Sequence, residues 1–338
     1  MGYETGYAAT WLVRRIDPET WVPVGVLDGV DSVTVQRSVN DGSSPLLESG
    51  SMEVSGEIEE GYYRIEMRPS VGELVIVATL LFAPDGRKWS HHAWGGKASG
   101  RSVLAPASVR MCKPGQQAPM GLDGAQWCAD RLCEVIKAPV VVEGGFVLGE
   151  FMSFESSDSI LDAVWQVLEA AGWCMQISGD GTVTIRELPT EPDLIVNAEN
   201  LGLLMPEFEA SLPIESVPNS LTIYKDGKSE TWVNEDPASP TSVPRRNGMV
   251  IEAKPEEDPT RREGETLLQY AKRRLEELAD VYETIEVERE WADGVYPYSI
   301  VRSNMPESSV TGDFRVMSQK LKCKRGVKVD ESWGRRAS

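Results

Sequence analysis

Apolar residues in the first hundred positions recur at every second place. Thr10–Ile16 and Trp21–Val26 are followed by Val33, Val35, Arg37 and Val39 in one parity, the period of a strand rather than a helix. Gly42-Ser43-Ser44-Pro45 interrupts the pattern before Met52, Val54 and Ile58. Tyr63, Ile65 and Met67 then alternate with Arg64, Glu66 and Arg68, which predicts a strand with one face buried. Leu74 to Phe82 is continuously apolar and predicts a buried strand that stops at a Pro84-Asp85-Gly86 turn. Short strands at this spacing, separated by Gly and Pro, predict a barrel or sandwich.

From about residue 107 the period changes. Gln126 to Lys137 places Trp127, Cys128, Leu132 and Val135 at helical spacing. Ser159 with Asp162 three residues on predicts a capping box, and Ile160, Leu161, Val164, Val167, Leu168 and Ala171 fill one face up to a stop at Gly172. Trp173–Ile177 and Thr182–Ile185 flank Ser178-Gly179-Asp180-Gly181, a hairpin signal. Residues 188–218 read as a Pro-punctuated connector or edge segment. Strands at Leu221–Tyr224 and Thr231–Val233 follow, then a loop over Asp236–Pro244 and a third helix from about Glu265 to Asp280. That helix leads into a strand with Ile285 and Val287, and Ile300–Val301, Phe314–Leu321 and Val327–Val329 close the chain. The expected fold is α+β and β-rich, with two β-barrel-like domains and small helix–strand α/β domains. The divisions are 1–106 for the first β-barrel-like domain, 107–190 for a small α/β domain and 191–218 for a connector or edge segment. Residues 219–338 form a second β-barrel-like region with a helix–strand unit near 265–290.

Charge and chemistry narrow the function. The 338 residues carry 34 Lys+Arg against 53 Asp+Glu, a formal charge of -19, and so acidic a body repels a phosphate backbone. The stretch from Arg315 to Ser338 is the exception, with eight basic residues and two acidic; it reads as a solvated strand face, or as a patch for an acidic neighbour. No basic flank or apolar core of a signal peptide is visible at the N-terminus, and the longest apolar run is about half a helical membrane span. Five scattered cysteines, Cys112, Cys128, Cys133, Cys174 and Cys323, fit neither a disulfide scaffold nor a zinc ribbon and are expected as free thiols. Cys128 and Cys133 fall on different sides of one helix.

The two histidines, His91 and His92, are sequence neighbours whose side chains diverge, so they do not chelate one metal. Gly95-Gly96-Lys97-Ala98-Ser99 lacks both the leading glycine of a phosphate loop and the hydroxyl after the lysine, and is expected as a flexible loop. Gly144–Gly149 fails the same test. The acids of 276–290 lie on the outer face of an amphipathic helix and strand, as solvated charges do. Trp11, Trp127, Trp165 and Trp173 fall within predicted elements and are expected in cores or contacts. No catalytic, cofactor-binding or metal-ligating residue emerges, no cofactor is implied, and an enzyme is not expected.

A set of ordered motifs resembles the baseplate-hub, or late-control, family of bacteriophage tail proteins. Leu47–Val54 with Tyr63–Met67 stands first, followed by Gly100–Ala107, Ser159–Trp173 with Gly179–Ile185, and Val217–Leu221. Val233–Pro237 through Ser239–Ser242 leads on to Gly264–Leu275, and Val316–Leu321 closes the series. Ser299 stands where the family pattern has an aspartate before Ile300–Val301. The resemblance implies a structural homotrimer in which each subunit contributes two barrel-like domains. Six similar barrels would then match a sixfold tail tube, or a distal tail protein, on one side and a threefold spike, tip or fibre protein on the other. It further implies a virion tail component assembled in the host bacterial cytoplasm, and passage of phage DNA without specific binding or any membrane span. Two alternatives from other classes are a receptor- or glycan-binding tip protein, which needs exposed clustered Trp and Tyr, and a tail-associated cell-wall hydrolase, which needs a cleft with paired carboxylates or a metal.

Overall fold

The computed structural model describes residues 9–39, 47–69, 73–90, 93–149, 151–197, 204–211, 217–225, 227–257, 266–278, 282–291, 294–305, 310–324 and 326–336. The chain divides into two compact units. The first comprises Met1–Phe208 with Glu286–Trp333, the second Glu209–Ile285 with Gly334–Ser338.

Seven strands open the first unit: β1 (Ala9–Ile16), β2 (Pro23–Val26), β3 (Val30–Ser38), β4 (Leu47–Val54), β5 (Gly61–Pro69), β6 (Val75–Ser90) and β7 (Ala93–Arg101). They are hydrogen-bonded in the order β3-β4-β7-β6-β5-β1-β2, each neighbouring pair antiparallel. Two expectations change here. Pro84-Asp85-Gly86 is not a turn: β6 runs through it to Ser90, and the register against β7 shifts between Pro84 and Gly86, a bulge that absorbs the proline. Gly95–Ser99 is not a loop but the middle of β7. Its neighbourhood explains the glycines, since a Cβ on Gly96 would stand 2.9 Å from the Gly56 carbonyl and one on Gly100 2.8 Å from the Phe82 ring.

The α/β elements come next: α1 (Ala105–Val109), β8 (Gln117–Ala118), α2 (Gly124–Cys133), β9 (Val140–Glu143), β10 (Met152–Ser153), α3 (Ile160–Ala171), β11 (Trp173–Ile177) and β12 (Val183–Glu187). Helix α3 starts with the expected capping box between Ser159 and Asp162 and stops at Gly172 with φ 71°, a left-handed cap that glycine adopts without steric cost. β11 and β12 form the expected hairpin, and β9 joins β12 in parallel. Residues 188–218, expected as a connector or edge segment, hold β13 (Pro192–Val196) and β14 (Leu204–Ser211).

The α/β elements share one apolar core with Ile16, Val39 and Tyr62 of the strand region. A second core holds Val13, Val35, Ile65, Leu80 and Phe82. β5 is therefore covered on both faces: Tyr62 through Met67 are all buried, including Arg64 and Glu66. The expectation of a half-buried strand fails because Arg64 and Glu66 find partners under cover, Arg64 at the Asp180 carbonyl and Glu66 at Arg14.

In the second unit, β15 (Ser220–Lys225) pairs antiparallel with β16 (Lys228–Val233) and parallel with β17 (Glu256–Glu257). Helix α4 (Leu267–Leu278) packs Tyr270, Ala271 and Leu275 against Leu221 and Ile223. Asp236–Pro244 is a succession of turns, as expected.

The chain then passes through β18 (Tyr282–Glu290), β19 (Ile300–Met305), β20 (Val310–Lys324) and β21 (Gly326–Arg336). β20 is the joint of the first unit. Its first half pairs with β19, which pairs in parallel with β13, and its second half pairs with β3. The buried positions change parity along it, from Val310, Phe314 and Val316 to Gln319, Leu321 and Cys323. The sheet thus continues in the order β18-β21-β20-β3-β4. The protein is β-rich, with a large mixed sheet. Among the described residues, no helix is long and apolar enough to cross a membrane.

Candidate functional site

The residues with candidate chemistry in the sequence do not converge. His91 and His92 lie outside the described residues. Among the described residues no group of three or more His, Cys, Asp or Glu is placed to hold a metal. Cys112, Cys128, Cys174 and Cys323 are buried and Cys133 is exposed, all five as free thiols. Burial pushes the thiols of Cys174 and Cys323 up to about 12, where a reactive thiolate does not form at neutral pH. Three of the eight basic residues at the end of the chain are paired within the fold, Lys322 to Asp330, Lys328 to Glu288 and Arg335 to Glu283.

What does converge is a polar cluster inside the first unit, held by the loop Gly294–Ser299. On one side of it, β18 and β21 bring together Arg289 and Glu331, 1% and 0% exposed in their side chains. The guanidinium donates from Nε at 2.7 Å and Nη2 at 2.5 Å, one bond to each carboxylate oxygen. Glu331 also accepts from the Trp333 indole at 2.8 Å and the Gln319 amide at 2.6 Å. On the other side, Arg37 of β3 donates to Glu48 of β4 and to the Val77 carbonyl, each at 2.7 Å. Burial pushes the Glu48 carboxyl up, and Arg37 opposes that rise. The Tyr296 ring lies 5.2 Å from the Arg37 guanidinium, in range of a cation–π contact.

The same loop holds the α/β elements. The Val295 carbonyl accepts from Gln319, the Pro297 carbonyl accepts from Gln176, and the Tyr296 hydroxyl accepts the Gly179 N–H at 3.2 Å. Tyr298 adopts φ 75° and stacks on Trp165. The Ile300 N–H, which follows Ser299, is taken by Asp193 from the neighbouring β13.

Opposite the loop, the Ser178–Gly181 turn is fastened to the strands. The Asp180 carbonyl accepts from the Trp21 indole at 2.8 Å and from Arg64 at 3.1 Å, and the Gly179 carbonyl accepts from Thr79 at 2.9 Å. Burial raises the Asp180 carboxyl, but the Ser178 hydroxyl, the Thr182 N–H and Arg64 outweigh it and hold the group below its ordinary 3.8. A depressed carboxyl adds stability above its unfolded pKa, and that stability is lost as pH falls through the folded value. The urea midpoint should therefore fall below about pH 4, and Asp180→Asn should show a shallower fall when both are titrated from pH 5 to 2.5.

Sequence reasoning missed these groups, although a signal existed. Arg37 shares its parity with Val33 and Val35, and Arg289 shares its parity with Ile285 and Val287, all buried. A charge in an apolar parity marks a buried ion pair; the identity of its partner is not local information. The tryptophans follow expectation: Trp127 and Trp173 are buried and Trp11 and Trp165 partly so, while Trp89 is the one more than half exposed among the described residues. The arrangement positions strands and modules.

No protein-family model and no curated protein matches the chain. Solved structures do. The tail protein from Neisseria meningitidis MC58 aligns over 97% of this chain and 96% of its own, with 14% identity and a TM-score of 0.63. The 43 kDa tail protein of prophage MuSo2 from Shewanella oneidensis aligns over 96% and 97%, with 12% identity and a TM-score of 0.62. Prophage tail protein gp18 from Listeria monocytogenes EGD-e aligns over 97% and 95%, with 10% identity and a TM-score of 0.51. Over nearly its whole length, then, the chain has the fold of phage tail proteins. These structural neighbours are the kind of protein that the ordered motifs resemble.

Proposed function

We propose that the chain is a structural, non-enzymatic subunit of a phage or phage-derived tail, placed at the baseplate or tail-tip hub. The observation that carries this reading is the end-to-end likeness of fold to tail proteins; the order of the hub-like motifs supplies the finer placement. In this reading residues 1–106 and 219–338 provide two barrel-like modules, with 107–190 as the α/β module and 191–218 as the connection. Three chains present six modules as a ring that matches a sixfold tube on one side and, through its threefold symmetry, a spike or tip on the other. The net charge of -19 suits a conduit along which DNA passes without sticking. Among the tryptophans whose exposure is described, four are buried, four are partly buried and only Trp89 is exposed, which favours this reading over a glycan-binding tip.

Native mass spectrometry tests the oligomer. Three chains of 37.3 kDa give about 112 kDa, a closed threefold ring. A monomer at every concentration, alone and with the tail-tube and spike proteins of the same particle, would remove the ring from the proposal.

A further inference from the structure

Gln319 stands between the two buried ion pairs. Its strand, β20, has β21 with Glu331 on one side and β3 on the other, where Arg37 is its direct register partner. The Gln319 amide nitrogen donates to Glu331 at 2.6 Å and to the Val295 carbonyl at 2.8 Å. Two acceptors fix which end of the amide is nitrogen, so the oxygen is the atom left over. Gln319 Oε1 is buried and makes no hydrogen bond, and the same holds for Arg37 Nη1 and Glu48 Oε2. The three residues are 1%, 2% and 5% exposed.

An acceptor and a cationic donor, buried on directly opposed residues, both lack a partner. Native interiors rarely leave such groups unmatched, and an ordered water with two to four polar partners is the usual solution. We propose that Gln319 Oε1 and Arg37 Nη1 hold one bound water. Arg37 donates to the water and the water donates to Gln319, while Glu48 Oε2 is the remaining acceptor of the same cluster. Arg289, Glu331, Gln319, Arg37 and Glu48 then form one hydrogen-bonded belt across β18, β21, β20, β3 and β4. The belt fixes the register of β20 on β3, because a slip of one residue would turn Gln319 to the other face and leave both ion pairs without their link. This inference concerns the single chain and stands whether or not the tail-hub reading holds.

Two measurements test it. In a high-resolution crystal structure of the unaltered protein, one water should lie within hydrogen-bond distance of both Gln319 Oε1 and Arg37 Nη1; no water there overturns the site, even if no variant folds. Glu331→Gln and Glu48→Gln, singly and together, should then depart from multiplicative unfolding constants in urea by at least about threefold, beyond the scatter of independent sites. In a Gln319→Leu background the departure should vanish. Multiplicative behaviour with Gln319 present, or a departure that survives its loss, overturns the belt.

Discussion

Arg289→Met is expected to destabilise the protein by about 3–5 kcal/mol, the range for removing one partner of a fully buried ion pair. Both side chains are at most 1% exposed, so bulk solvent does not reach the carboxylate that is left behind. Glu331 would keep the Gln319 and Trp333 donors, but their neutral dipoles do not compensate a full charge. Pairing Arg289→Met with Glu331→Leu should recover part of the loss, because no desolvated charge remains, while the Trp333 indole and Gln319 amide lose the acceptor they share. Urea unfolding followed by tryptophan fluorescence reads both. A loss under about 1 kcal/mol for the single variant, near the median of exposed pairs, would mean that the pair is hydrated in solution.

Gly179→Ala should be the next most damaging change, at about 3 kcal/mol, the upper range of overpacking. A Cβ there would stand 2.1 Å from the Ile76 carbonyl oxygen and 2.8 Å from its carbon. Both are backbone atoms of β6, so no side chain can swing aside and the turn itself must lift. Lifting it breaks the bonds from Trp21, Arg64 and Thr79 to the Gly179 and Asp180 carbonyls. Gly149→Ala is the control: nothing lies within 4 Å of its added methyl, and the melting temperature should stay close to that of the parent.

Local features were legible in the sequence. The capping box at Ser159, the stop at Gly172 and the hairpin around Asp180 depend on residues a few places apart, and all three are present. Features set by distant neighbours were not legible. Pro84 and Gly86 have turn chemistry, yet β7 lies alongside and converts the turn into a bulge within a longer strand. Gly96 and Gly100 suggest looseness, but they are small because a carbonyl and an aromatic ring press on β7. Arg64 and Glu66 look like a solvent face until the α/β elements cover them. For the polar cluster, the parity of Arg37 was visible, while its register opposite Gln319 depends on strands from the two ends of the sequence.

The pairing of β3 with β20 also bears on synthesis. Val33 is matched to Cys323, so the first strands leave the ribosome long before the strand that completes their sheet. Loop closure over such a span is slow, and until it happens the edge of β3 is open to any other extended segment. Nascent chains therefore carry that open edge for most of translation, and a fragment ending before Val310 should accumulate as aggregate rather than as a smaller folded piece.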